Sequence, residues 1–209
     1  MVKVVYVGFG IVSQGLAEII LNNNSVLPLV ETVEIQTVGI LDTMKGSRID
    51  ASGINMHDVL LNAKEGDYSL LTDTILDIPK AIQEIDADIL IEASFTDIKT
   101  GQPAISHMES ALKSNKHVVT TNKGPFAVAY KQIFNLAALL KKNVAIEGTV
   151  MSGTPIINVL NNGLLGSDIT AVSGIMNGTS NYILSKMELG MSYSDALSQA
   201  QQLGYAEAD

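Results

Sequence analysis

Gly174 to Met187 reads Gly-Ile-Met-Asn-Gly-Thr-Ser-Asn-Tyr-Ile-Leu-Ser-Lys-Met, and it sets Asn177, Thr179, Ser180 and Asn181 into a turn between an apolar run and a helix. A hydrophobic core has no use for that many small polar groups. Ile169, Ala171, Val172, Ile175 and Met176 predict a short buried strand upstream. Ile183, Leu184 and Met187 recur at helical spacing downstream, so Thr179 or Ser180 is expected to cap a helix. A helix N-terminus offers free N–H groups and partial positive charge, which suits a ligand carboxylate or polarised amide. An ordinary capped turn would contain the same residues.

At the other end of the chain, Val4 to Val7 runs directly into Gly8-Phe9-Gly10-Ile11-Val12-Ser13. A strand, a glycine turn and a helix in that order form the context of a dinucleotide fingerprint. Gly8 permits the tight turn, Gly10 lets a pyrophosphate approach the backbone, and the helix starting at Ile11 and Val12 supplies N–H donors. Ser13 stands where the third glycine usually is, and Gly15 lies nearby. Asp42 closes the next strand, where a carboxylate accepts from ribose hydroxyls and favours NAD. It lies beyond the usual spacing of about 20 residues, which requires an inserted loop through Asn22 to Glu31. Lys45 and Arg48 follow and could pair with a 2′-phosphate, which favours NADP, or be solvated charges. NAD and NADP both stay open.

Three polar segments follow strands or join the halves of the chain. Ser94-Phe95-Thr96-Asp97 sits where ligands of open α/β sheets collect, so Thr96 either contacts a nicotinamide or starts the next helix. Thr120-Thr121-Asn122-Lys123-Gly124-Pro125 projects Lys123 toward the same crevice, or leaves it as a surface charge. An ammonium beside a reacting alcohol can stabilise alkoxide charge or carry a proton. Glu147 to Ile156, read Glu-Gly-Thr-Val-Met-Ser-Gly-Thr-Pro-Ile, offers a carboxylate and turned carbonyls to a hard cation, or is a hinge.

These segments need an alternating strand and helix frame. Strands are expected at Val2 to Val7, Val33 to Leu41, Asp88 to Ala93, His117 to Thr120 and Val144 to Glu147. Helices are expected at Ile11 to Leu21, with Val12, Leu16, Ile19 and Ile20 on one face, within Gly101 to Ser114, and at Tyr130 to Lys142. Asn122 to Pro125 is expected as a turn. The rhythm changes after Gly148, so the expected domains are 1–148 and 149–209. Ser192 with Asp195 resembles a capping box opening a helix that stops at Gly204.

Composition excludes several classes. With 209 residues, 46% hydrophobic and 17% charged, a folded globular protein of one large or two small domains is expected. A net charge of -9 with scattered basic residues argues against nucleic acid. No run approaches the roughly 20 apolar residues of a membrane span, and no leader is visible, so a cytoplasmic protein without membrane partners is expected. The absence of Cys excludes disulfides, thiolate nucleophiles and Cys-based zinc sites.

The motif at Gly174 resembles the signature of the homoserine dehydrogenase family, and the likeness runs in order from Val4 to Asp209. It implies an N-terminal Rossmann doubly wound parallel sheet followed by the first part of an α+β catalytic and dimerisation domain. It implies interconversion of L-homoserine and L-aspartate 4-semialdehyde with NAD or NADP, in threonine and methionine biosynthesis, by a homodimer. Thr96 then contacts the nicotinamide, and Lys123 lies between cofactor and substrate. Asn177, Gly178 and Thr179 line the crevice. Glu147, with carbonyls of Val150, Ser152 and Thr154, binds a monovalent cation, usually Na⁺. Leu203 to Asp209 resembles a Gly-Tyr-x-Glu-x-Asp motif that brings Gly204 to the cofactor and Tyr205 and Glu207 to the substrate; as an isolated segment it reads as an acidic tail. The family continues with an Asp and a Lys, the latter its usual proton carrier. Neither follows here, so the expectation is an incomplete chain that is inactive alone. The alternatives are a non-catalytic NAD(P)-binding module and another Rossmann dehydrogenase of amino or hydroxy acids.

Overall fold

Val2–Val7 and Ile35–Leu41 are nearly continuous apolar runs, the pattern of strands covered on both faces. In the computed structural model they form β1 and β2, paired in parallel. The structure describes residues 1–22 and 33–206, so the loop expected through Asn22 to Glu31 lies, beyond Asn22, outside the described residues, as does Glu207. Four further strands complete the sheet: β3 (Arg48–Ile49), β4 (Ile89–Glu92), β5 (His117–Thr120) and β6 (Val144–Ala145). Their spatial order is β3-β2-β1-β4-β5-β6, the order of a doubly wound nucleotide-binding sheet. All neighbours are parallel except β3, which runs antiparallel to β2. The expected α/β fold is therefore present.

Among the described residues, five helices cover this sheet: α1 (Ile11–Leu21), α2 (Met56–Lys64), α3 (Ile78–Glu84), α4 (Ala104–Lys113) and α5 (Gly124–Leu139). Side chains of β1 alternate between two cores. Val5 and Val7 pack with Ile82, Leu90, Met108 and Ile133, while Val4 and Tyr6 pack with Phe9, Ile40, Val59 and Leu60.

Several details differ from the sequence expectation. Asn55 caps α2 and Asp77 caps α3, yet neither helix was expected, because both are short. Gly124 and Pro125 open α5 instead of ending a turn, consistent with proline in the first helical turn. Glu147 leaves β6 and starts a 3₁₀ turn at Glu147–Thr149. On α1 the buried positions are Ser13 and Ala17, and Val12 and Ile19 are more than half exposed. Small residues let that helix lie close to the sheet.

The chain divides into two compact units, Met1–Thr149 and Val150–Asp209. In the second, α6 (Ile156–Asn158) runs into a π turn, and α7 (Gly178–Glu188) and α8 (Tyr193–Gln202) follow. Ile183 of α7 and Ala196 and Ala200 of α8 make a small shared core. Ser192 caps α8 as its spacing with Asp195 implied, accepting the Asp195 N–H at 3.2 Å. The α7 cap is Asn177, which accepts the Ser180 N–H at 2.8 Å, and not Thr179 or Ser180. The strand expected over Ile169 to Met176 is absent, and Ile169, Val172, Ile175 and Met176 are exposed. A strand requires a partner for its N–H and C=O groups, and the described residues of this unit contain no other strand. No described helix is long and apolar enough to cross a membrane.

Candidate active site

The carboxyl ends of β1 and β4 are adjacent, with Val7 beside Glu92, so the loops that follow them meet at the point where the sheet changes direction. Gly8 holds φ +81°, and a Cβ there would stand 2.5 Å from the Ala93 carbonyl oxygen. Both the left-handed backbone and the close approach exclude a side chain. By contrast, nothing lies within 4 Å of a Cβ built on Gly10, which leaves open space over the start of α1. The first N–H groups of α1 have no acceptor within the helix and face that space with the positive end of its dipole.

Ser13 does more than replace a glycine. It is buried, and its hydroxyl donates to the Gly8 carbonyl at 2.6 Å. Phe9 contributes its ring to the core, edge-on to Tyr6. Its N–H donates to Asp42 Oδ2 at 2.7 Å, and its carbonyl accepts from Lys45 Nζ at 2.7 Å and from Gln14 Nε2 at 2.8 Å. Phe9 thus has no spare donor for a ligand, whereas the Ile11 and Val12 backbones open the helix.

Asp42 ties the glycine turn to the loop after β2. Its Oδ1 also accepts the N–H groups of Met44 at 2.8 Å and Lys45 at 2.9 Å. Four lone-pair sites on a carboxylate leave capacity for a further donor. Arg48 is directed to the Leu70 carbonyl at 3.3 Å and to Asp50 at 4.0 Å. Lys45 also lies 5.0 Å from the centre of the Tyr68 ring.

The loop after β4 places Thr96 against the start of α5, since a Cβ on Gly124 would meet Thr96 Cγ2 at 2.6 Å. Thr96 Oγ1 is buried and makes no hydrogen bond among the described residues. An orphan hydroxyl of this kind is costly unless something else satisfies it. Asp97 turns the chain toward α4, accepting from Thr100 N at 2.7 Å and from the Thr100 hydroxyl at 2.8 Å. Those bonds, the Thr100 hydroxyl first, hold its carboxyl below the usual carboxylate range. Lys123 immediately precedes α5 with its side chain exposed, and no described residue pairs with its ammonium. Gly8, Gly10 and Asp42 therefore belong to the glycine turn at the carboxyl end of β1, Thr96 to the loop after the neighbouring β4, and Lys123 borders the Thr96 loop.

The remaining expected residues lie elsewhere in the chain. Glu147 opens the 3₁₀ turn that ends the first unit, while Val150, Ser152 and Thr154 belong to the second. Met151 and Ser152 adopt left-handed backbone with φ +59° and +53°, and the Thr154 carbonyl accepts from Ile156 N–H at 2.8 Å. No cluster of three metal-ligating side chains exists among the described residues. Within the second unit the Thr179 hydroxyl donates to the Tyr205 carbonyl, and the Tyr205 ring packs edge-on against Tyr182. Gly204, with φ +74°, ends α8 just before that contact. Asn177, Gly178, Thr179, Gly204 and Tyr205 are thereby tied to the α7 and α8 pair.

Glu92 was not singled out from the sequence, although it is fully buried at the end of β4 and hydrogen-bonded to both flanking loops. A charged residue closing the apolar run Ile-Leu-Ile-Glu was the available signal.

Comparison with known proteins agrees with this geometry. Residues 8–147 match the family described as homoserine dehydrogenase, NAD binding domain, and residues 155–209 match homoserine dehydrogenase. An NAD(+)-dependent homoserine dehydrogenase of Pseudomonas canavaninivorans is 40% identical over 99% of this chain and 60% of its own length. The crystal structure of homoserine dehydrogenase from Thermoplasma acidophilum superposes with a TM-score of 0.79 at 25% identity, over 100% of this chain and 62% of that one. A hyperthermophilic archaeal homoserine dehydrogenase in complex with NADPH gives a TM-score of 0.78 at 30% identity, over 100% and 63%. The chain thus spans about 60% of the length of such relatives. A sheet in dinucleotide-binding order, a glycine turn without room for a side chain and the match over residues 8–147 agree: the chain belongs to the homoserine dehydrogenase family.

Proposed function

We propose that the protein interconverts L-homoserine and L-aspartate 4-semialdehyde with NAD or NADP, and that the first unit of this chain is its dinucleotide site. The observation that carries this is the shared carboxyl edge of β1 and β4, where Gly8 excludes a Cβ, Gly10 opens onto the α1 N-terminus and the buried Thr96 hydroxyl has no hydrogen bond among the described residues. These residues fit a dinucleotide. The α1 amides hold the pyrophosphate, Asp42 takes an adenosine ribose hydroxyl, and Thr96 Oγ1 reaches the nicotinamide side. Bound nicotinamide supplies the two-electron acceptor or donor of the reaction.

Lys123, unpaired among the described residues, borders the Thr96 loop. Its ammonium stabilises negative charge on the substrate oxygen and orients the carbon that reacts. Asn177, Gly178, Thr179, Gly204, Tyr205 and Glu207 are assigned to cofactor and substrate binding in this reading, which rests on the family match over residues 155–209. A monovalent cation held by Glu147 and the carbonyls of Val150, Ser152 and Thr154 belongs to the same proposal, as do a homodimer, a cytoplasmic location and a place in threonine and methionine biosynthesis. Among the described residues Arg48 is directed to Leu70 and Asp50 and Lys45 to the Phe9 carbonyl, so a 2′-phosphate would have to draw one of them away beside the charge of Asp42. That balance favours NAD.

The test is a fluorescence titration with NADH and NADPH, followed by homoserine. Saturable binding with a further homoserine-dependent change supports the assignment. Dinucleotide binding indifferent to homoserine would point to a binding module. In the catalytically competent protein, Lys123→Ala should lower kcat by about 100-fold, the low end for a proton-handling group, with dinucleotide affinity nearly unchanged. Unchanged turnover would remove its role.

A further inference from the structure

We propose that Glu92 is a positioning residue that clips together the two loops of the nicotinamide end; this rests on the dinucleotide reading above. Glu92 is fully buried in the middle of the sheet, between Val7 of β1 and Thr120 of β5. No described Lys or Arg pairs with it. A carboxylate in such a place costs free energy unless hydrogen bonds satisfy it, and every donor it finds comes from an element that leads into the site or from α4 behind it.

Its Oε1 accepts from the Ser94 hydroxyl and from the Ser94 N–H at 3.2 Å, and it lies 3.5 Å from His107 Nδ1 of α4. Its Oε2 accepts from Asn122 Nδ2 at 2.5 Å and from the Thr120 hydroxyl at 3.4 Å. Asn122 closes the circuit, because the same amide nitrogen donates to the Ser94 carbonyl at 2.8 Å and its own N–H donates to Thr120 Oγ1 at 3.0 Å.

The placement matters more than the count. Ser94 is two residues before Thr96, and Asn122 is the residue before Lys123. One carboxylate therefore sets the spacing of the two loops that carry the Thr96 hydroxyl and the Lys123 ammonium, and Gly124 lets them touch at Thr96. The pyrophosphate and adenosine contacts, at Gly8 to Val12 and Asp42, make no hydrogen bond to Glu92. Loss of the clip should thus fall on the nicotinamide half of a dinucleotide and spare the other half. A residue that merely stabilised the fold would weaken both halves together.

Glu92→Gln keeps the shape but replaces one acceptor oxygen by an amide that faces donors. We expect NADH affinity to fall about tenfold, the scale of one hydrogen bond to a charged group, while affinity for ADP-ribose, which lacks nicotinamide, stays within about twofold. Both affinities are read by calorimetry on the 209-residue chain, with circular dichroism to check folding. Equal affinities for NADH in variant and wild type, or a parallel loss for both ligands, overturn the proposal. If Glu92→Gln does not fold, Asn122→Ala, at a half-exposed position, must show the same split. Wild-type protein that binds neither ligand overturns the dinucleotide reading itself, whereas binding without the split overturns only the role of Glu92.

Discussion

The two units differ in how much of their chemistry is already held in place. In Met1–Thr149 the sheet is covered on both faces by two apolar clusters, and the site loops are hydrogen-bonded to one another through Asp42, Ser13, Glu92 and Asn122. In Val150–Asp209 the buried apolar residues among those described are Ile183, Ala196 and Ala200, and many larger ones, such as Ile175 and Leu184, are exposed. The first unit holds its strand-end loops in fixed positions. The second holds its polar motif by helix caps and by the pairing of α7 with α8.

The largest effect that separates the units is a core deletion. Ile82 is fully buried between α3 and the sheet, so Ile82→Ala should cost the first unit about 2–5 kcal/mol, read as a lower denaturant midpoint. Ile183→Ala in the smaller α7 and α8 cluster should cost less; an equal or greater loss would erase the contrast. Next is the cap of α7. Asn177→Ala removes the acceptor for Ser180 N–H and should cost about 1 kcal/mol, seen as faster amide exchange confined to the first turn of α7. Unchanged exchange there would show that the cap does not hold the motif.

The smallest effect is acid sensitivity. Asp50, Asp67, Asp86 and Asp97 all have carboxyls held below their ordinary value, chiefly by hydrogen bonds from the Ser52 hydroxyl, the Ser69 N–H, Lys3 Nζ and the Thr100 hydroxyl respectively. A depressed carboxylate stabilises the fold above its unfolded value and loses that contribution as pH falls through the lowered one. All four lie in the first unit, so its melting temperature should decline below about pH 4, and only slightly, because Asp67, Asp86 and Asp97 are exposed and Asp50 is partly so. A decline beginning near neutrality would contradict this origin.

The sequence makes the frame legible wherever a segment carries its own period. Strands β1, β2, β4 and β5 are apolar runs long enough to read, and the glycine turn follows the first of them directly. β3 has two residues and exists only by pairing with β2, so no local pattern announces it. The absent strand at Ile169 to Met176 teaches the converse, since an apolar run does not form a strand without a neighbour to bond. In the proposed site, Gly8, Asp42 and Thr96 stand out in the sequence as residue types at strand ends. That Asp42 closes the turn through Phe9 N–H, and that Glu92 joins two loops, depends on contacts across 33 and 30 residues, which no short spacing encodes.

The most direct test of the account is a fluorescence titration of the 209-residue chain with NADH, alongside Gly8→Val. The account predicts saturable binding by the wild type and loss of that binding in the variant, whose side chain would strike the Ala93 carbonyl from a φ of +81°. Equal binding by the two proteins, or no saturable binding by the wild type, would contradict the placement of the dinucleotide between β1 and β4.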